Sequence, residues 1–215
     1  MSVIKRSGTY GDYYGSPYDS SSPCNSEQMS VNATYIYSYL TANGWTKESV
    51  AALLGNMQAE SSINPGRWQS DRVGGDTSGH GYGLVQWTPY TKYTEWATSE
   101  GHSDPSEMDS NLARIMYEVK NNIQWYGTGN YSGMSFEEFA TSSEDVSFLA
   151  VGFLLCYERP ADQSNSVQEY RSSLARTWYE YLGGVPITPG GSTGKRKKKK
   201  YKFILFNRRR RSIYG

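Results

Sequence analysis

Glu60 ends a stretch, Leu53-Leu54-Gly55-Asn56-Met57-Gln58-Ala59-Glu60, in which reactive chemistry and helical period coincide. Val50, Leu53, Leu54 and Met57 recur at helical spacing and form an apolar stripe. Glu60 lies three residues beyond Met57 and seven beyond Leu53, so it continues that stripe rather than the solvated face. Asn64-Pro65 favours a stop soon afterwards, which places Glu60 in the last turn. Partial burial and the negative end of the helix dipole both disfavour a charged carboxylate there. A carboxylic acid kept protonated near neutral pH is what a general acid needs. The competing reading is a structural Glu that pairs with an Arg or caps a loop N–H.

A second stretch, Gly81-Tyr82-Gly83-Leu84-Val85-Gln86-Trp87-Thr88, reads as a strand and tight turn whose glycines let backbone approach closely. Gln86 offers a donor and an acceptor, and Tyr82 and Trp87 offer flat faces on which sugar rings stack. Glu60-Ser61 together with Gly83-Leu84-Val85-Gln86 resembles the Glu-Ser and Gly-Leu-Met-Gln pair of goose-type lysozymes and lytic transglycosylases. The longer runs Gly55–Pro65 and Gly83–Pro89, with Tyr157-Glu158-Arg159-Pro160 after them, are more specifically similar to the phage tail-tip lysozyme family. The resemblance covers residues 29–183. It implies a mainly α, α+β lysozyme-like fold, with a small β-hairpin lobe flanking the active-site helix. It also implies a glycosidase, a lysozyme-type muramidase of phage tail knobs, that cleaves peptidoglycan glycan strands without cofactor or metal during genome entry, an antimicrobial activity.

Glycoside hydrolysis usually needs an acid at the leaving oxygen and a second carboxylate, about 5–5.5 Å away for retention or about 6.5–9.5 Å for inversion. Glu60 is the expected acid. Hen-type lysozymes carry an Asp directly before the Tyr-Gly of the strand, where this chain has Gly81. Asp76 is the favoured second catalytic group, to position water or to stabilise positive charge on the sugar. Asp71 is the alternative, and an Asp in such a loop is more often merely a turn residue. Glu158 reads as an ion pair with Arg159 or as a residue facing the cleft. Trp68, Tyr82, Trp87, Trp125 and Tyr157 are candidate stacking rings, each with a core reading beside the sugar-binding one. A lytic transglycosylase and a non-catalytic, glycan-binding knob protein remain as rivals.

These residues need elements to hold them. Helices are expected over Glu27–Ala42, from Thr46 to Glu60, from Pro89 to Ser99, from an Asp104-Pro105-Ser106-Glu107 start to Trp125, over Ser135–Ala140, and over Ser166–Leu182. Val146–Tyr157, nearly all apolar, is expected to be the helix around which the others pack. Residues 1–27, rich in Ser, Gly and Tyr without a regular period, are expected to be a flexible or partner-ordered arm before a domain over 28–184. Residues 185–194 read as a Pro/Gly linker, and 195–215 as a basic tail.

The formal charge of +1 conceals an asymmetry. Residues 195–215 hold eleven Lys or Arg and no acid, which leaves a body near −10. That tail can dock on an acidic tail-knob protein or an anionic wall polymer. The acidic body disfavours specific nucleic-acid binding. Two cysteines suggest no disulfide framework, and no His/Cys spacing suggests a metal. The N-terminus lacks a signal-peptide core, and the longest apolar run is too short to span a bilayer. An enzyme without a secretion signal must leave the cell inside a virion or by lysis, and the resemblance implies the virion tail tip, after synthesis in the host cytoplasm. Expected partners are peptidoglycan glycan strands and other tail proteins, reached through the N-terminal arm or the basic tail.

Overall fold

A computed structural model describes residues 3–69 and 79–184. Seven α-helices and one two-stranded antiparallel hairpin make up their regular structure, a mainly α fold with a small β element. α1 (Ser26–Ala42) opens on a capping box in which Asn25 and Gln28 satisfy each other's backbone N–H groups. Thr46 caps α2 (Lys47–Ser61) by accepting from the Ser49 N–H. α3 (Thr91–Ser99) follows Pro89 as expected. α4 (Met108–Lys120) begins later and ends earlier than its sequence pattern predicts. Asp104 accepts from the Ser106 N–H and hydroxyl at 2.8 and 2.5 Å, closing a separate turn before the helix.

α5 (Phe136–Thr141) is capped by Ser135 and Glu138, again as a box. α6 (Val146–Phe153) continues into a π-helical turn, Leu154–Glu158, which Arg159 ends with φ of 48°. α7 (Asn165–Gly183) closes the described chain. No helix among the described residues is long and apolar enough to cross a membrane.

The hub is α2 rather than α6 alone. α2 packs against α7, α6, α1 and α5, and its residues from Ser49 to Met57 are buried. Its periodicity hides this, because small or amide residues occupy the faces that look polar in sequence. Asn56 is fully buried and donates to Ala52 O and Ala150 O at 3.0 and 3.1 Å. Gly55 marks the closest approach to α7: a Cβ there would lie 2.7 Å from the Ala175 backbone nitrogen.

Residues 4–15 are not an arm without regular structure. Ile4–Gly8 (β1) and Gly11–Gly15 (β2) pair antiparallel, in a register from Ile4 opposite Gly15 to Gly8 opposite Gly11. The hairpin is docked rather than free. The Asn32 side chain binds the Tyr14 N–H and carbonyl, each at 2.7 Å, and the Tyr13 ring is buried. Asp109 accepts from the Thr9 hydroxyl and from Tyr35 Oη. The following segment crosses to the end of α2, where Asn64 bonds Ser16 N and Oγ and the Ser22 carbonyl. Gly66 is required at this crossing, because a Cβ would sit 1.9 Å from the Ser16 carbonyl oxygen. The small hairpin or irregular β-lobe expected beside the active-site helix takes the irregular form among the described residues, as isolated bridges from Trp68 to Tyr82 and from Tyr82 to Trp87.

Candidate active site

α2 brings Glu60 to its last turn, where the side chain is 22% exposed while the helix behind it is buried. Its Oε1 accepts from Arg171 Nη2, and Arg171 Nη1 donates to the Asn56 carbonyl at 2.8 Å. The resting arrangement is therefore an ion pair between α2 and α7, the structural alternative weighed against an uncompensated acid. Arg171 is itself largely buried, so the guanidinium is fixed by the helix it binds.

Ser61 joins Glu60 to the glycine turn. Its hydroxyl donates to Leu84 O at 2.8 Å, and the Leu84 N–H donates to Asn111 Oδ1 at 3.0 Å. Gly83 has φ of 84°, and a Cβ on it would meet Asn111 Oδ1 at 2.7 Å and the Trp87 ring at 2.9 Å. The motif is thus first a packing device that locks the 82–87 turn to the end of α2. Gln86 stays partly exposed, but its amide nitrogen is committed to Arg67 O and Gly83 O, both at 2.9 Å. Its donor side holds the turn rather than facing a sugar.

The rings expected to stack on sugars are interior. Tyr82, Trp87, Trp68, Tyr157 and Trp125 are all buried, and a buried ring has no face to offer. Tyr82 packs between Trp68, Tyr18 and Tyr93, and Trp87 stacks on Tyr93 at 4.5 Å. Tyr157 stacks on Phe153 at 4.5 Å, and Trp125 on Phe136 at 5.1 Å.

Trp87 and Tyr157 also serve a buried charge. Glu118 Oε1 accepts from Trp87 Nε1 at 3.0 Å and Arg114 Nε at 2.8 Å, and Oε2 accepts from Tyr157 Oη at 2.5 Å. Burial raises the Glu118 carboxyl above its ordinary range even against these three donors.

Glu158 does not pair with Arg159. The Arg159 guanidinium lies instead over the exposed Tyr126 ring, 4.1 Å from its centroid. Glu158 Oε1 is buried and has no hydrogen-bond partner among the described residues. Burial, and then the Glu60 charge, push this carboxyl well above the usual carboxylate range, with Arg171 opposing.

Backbone strain collects at the same place. Six non-glycine residues among those described have positive φ: Ser62, Ile63, Gln86, Asn122, Gln124 and Arg159. Ser62 and Ile63 directly follow the Glu60 turn, Gln86 lies in the glycine motif, and Arg159 follows Glu158. Left-handed backbone at non-glycine residues costs on the order of 1–3 kcal/mol each and clusters at functional sites.

Asp71 and Asp76 lie outside the described residues. A cleft of about 900 Å³ is lined by Arg6, Tyr18, Tyr90, Glu95 and Asp104 among others, and contains none of Glu60, Gln86 or Glu158. Arg171 was not anticipated, although it shares the apolar face of α7 with Ala175, Trp178 and Leu182.

Comparison with known proteins agrees with these motifs. The sequence profile described as phage tail lysozyme matches residues 31–182. Morphogenesis protein 1 of Bacillus phage B103 is 45% identical over 177 residues, covering 82% of this chain and 45% of the phage protein. The chain thus spans less than half the length of that relative.

Proposed function

This chain belongs to the phage tail lysozyme family, and from that premise we propose that it is a muramidase of the phage tail tip. It hydrolyses the β-1,4 bond between MurNAc and GlcNAc in host peptidoglycan during genome entry, with Glu60 delivering the proton to the leaving oxygen. The observation that carries this is the setting of Glu60. It is a solvent-reaching carboxylate at the end of the most buried helix, clamped by Arg171 and tied through Ser61 to a strained glycine turn. A group fixed by its surroundings can meet a transition state without reorganising. Asp76 is assigned the role of orienting the attacking water.

Glu60→Gln is expected to keep the fold and cut wall cleavage by about 10²–10⁴-fold, the usual cost of losing a positioned general acid. Asp76→Asn is expected to cut cleavage while leaving chitooligosaccharide affinity intact. Clearing of purified wall by the Gln variant at the wild-type rate removes Glu60 from the mechanism. Full activity of Asp76→Asn, of Asp71→Asn and of the double variant leaves a single-carboxylate mechanism.

A further inference from the structure

The cleft of about 900 Å³ has two unlike walls. One is the N-terminal segment, with Arg6 from β1 and Tyr18 and Asp19 from the crossing after β2. The other is α3, whose Thr91, Thr94, Glu95 and Thr98 fall at i, i+3, i+4 and i+7 and so share one face. Tyr90 stands at the head of that helix and stays partly exposed. The Tyr18 and Tyr90 rings both pack on Trp68, at 5.4 and 5.1 Å, and the Trp68 indole N–H donates to the Tyr18 carbonyl at 2.8 Å. Tyr18 nevertheless remains 37% exposed, unlike the buried rings of the glycine turn. It is a ring held in place with surface left to offer.

The polar groups of the cleft select among ligands. Asp19 and Glu95 form no ion pair among the described residues. Arg6, the one cation among the described lining residues, already donates to Asp104 at 3.0 Å. The spare negative charge repels an anionic polymer. Apart from the rings, the apolar residues of the described lining are Pro17 and Pro105, too few to hold a lipid chain. Unpaired carboxylates and threonine hydroxyls beside fixed rings suit a ligand with many hydroxyls and flat apolar faces, which is the chemistry of a neutral sugar chain. The volume lies in the range of about 300–1,000 Å³ usual for ligand sites.

We propose that this cleft is a second glycan site, separate from the Glu60 site, that binds a neutral stretch of sugar chain. Tyr18 and Tyr90 stack on its rings, and Asp19 and Glu95 accept from its hydroxyls. Residues 6–19 precede the match to the phage tail lysozyme profile at 31–182, so one wall of the site is an addition to the shared domain. A strand held there raises the effective concentration of substrate at Glu60. That the sugar chain is wall glycan rests on the proposed muramidase reading; affinity for a neutral sugar does not.

Amide chemical shifts of the full chain, followed by NMR during titration with a short chitooligosaccharide, test the site. The amides of Tyr18, Asp19, Thr94 and Glu95 are expected to shift together. Y18A is expected to weaken the binding that the α3 amides report at least about fivefold, the effect of losing a contact worth about 1 kcal/mol. D19N/E95Q, which breaks no ion pair among the described residues, should weaken it as well.

Sugar that leaves these four amides unmoved overturns the proposal, as does wild-type binding in both variants. If Y18A does not fold, D19N/E95Q decides alone. An oligolysine peptide that moves the cleft amides where the sugar does not assigns the cleft to a basic segment and overturns the proposal equally. Sugar bound in the cleft of a chain that cleaves no wall keeps this site and sinks the muramidase reading. Wall cleavage with the cleft amides unmoved does the reverse.

Discussion

At the scale of residues, the charges form two knots, one that reaches solvent and one that is buried. One is Glu60 with Arg171 and Glu158, and the other is Glu118 with Arg114, Tyr157 and Trp87. Glu118 is fully satisfied, so its contribution should be visible as stability rather than chemistry. Glu118→Ala leaves the Arg114 guanidinium buried and unpaired, and should destabilise by about 3–5 kcal/mol in urea unfolding. A loss below 1 kcal/mol would mean that Arg114 escapes to water. Parts of both knots were legible in the sequence. Glu60 continues an apolar stripe, and Arg114 and Glu118 stand four apart on a buried helix face. The partner of Glu60 was not legible, because it lies 111 residues away and only packing of α7 on α2 brings it near. The aromatic residues misled for a related reason. A ring's type does not say which side of the chain is solvent, and here the interior took them.

At the scale of elements, the spacing between α2 and α7 places Arg171 against Glu60, and Gly55 sets it. Ala is the better helix former by about 1 kcal/mol. A Cβ at 55 would nevertheless press on Ala175 backbone at 2.7–2.9 Å, atoms that cannot rotate away. Gly55→Ala should therefore lower the melting temperature, by the equivalent of about 1–3 kcal/mol. A rise would show that the helices have room to part. Most helices were readable from caps and stripes, as at Asn25, Thr46 and Ser135. The N-terminal hairpin was not. Its strands, Ile-Lys-Arg-Ser-Gly and Gly-Asp-Tyr-Tyr-Gly, have little β-propensity, and its two-residue Thr9-Tyr10 turn lacks the usual Asn-Gly. Asn32, Asp109 and Tyr35 hold it in place, and these are contacts that no local pattern announces.

At the scale of the whole molecule, raised and lowered carboxyls give stability opposite dependences on pH. Burial raises Glu118 and Glu158, so their contribution is complete below the unfolded value of 4.5 and is lost as pH rises through their folded values. For Asp104, burial acts the other way, but the Ser106 bonds and Arg6 outweigh it and hold the carboxyl below its unfolded 3.8. Its contribution is present above that value and is lost as pH falls. The melting temperature should thus decline as pH rises above about 4.5, and Glu158→Gln should flatten the decline. An unchanged slope in the variant would remove Glu158 as its source.

The linker at 185–194 and the basic tail at 195–215 lie outside the described residues. We propose that they serve localisation, since α7 ends at Gly183 with Leu182 already buried in the core. A chain ending at Gly184 should fold and cleave soluble glycan fragments like the full chain. It should lose salt-sensitive binding to whole wall, because Lys and Arg contacts weaken together as salt rises. Unfolding of that shortened chain would place the tail within the fold.

The bond broken, and the part Glu60 takes in breaking it, can be read together from digestion products. Purified peptidoglycan is treated with the wild type and with Glu60→Gln in water enriched in heavy oxygen, and the muropeptides are weighed by mass spectrometry. Hydrolysis through Glu60 predicts reducing MurNAc ends that carry one heavy oxygen from the wild type, and none from the variant. Unlabelled 1,6-anhydro ends would contradict it in favour of a lytic transglycosylase, and an undigested wall in favour of a glycan-binding tail protein.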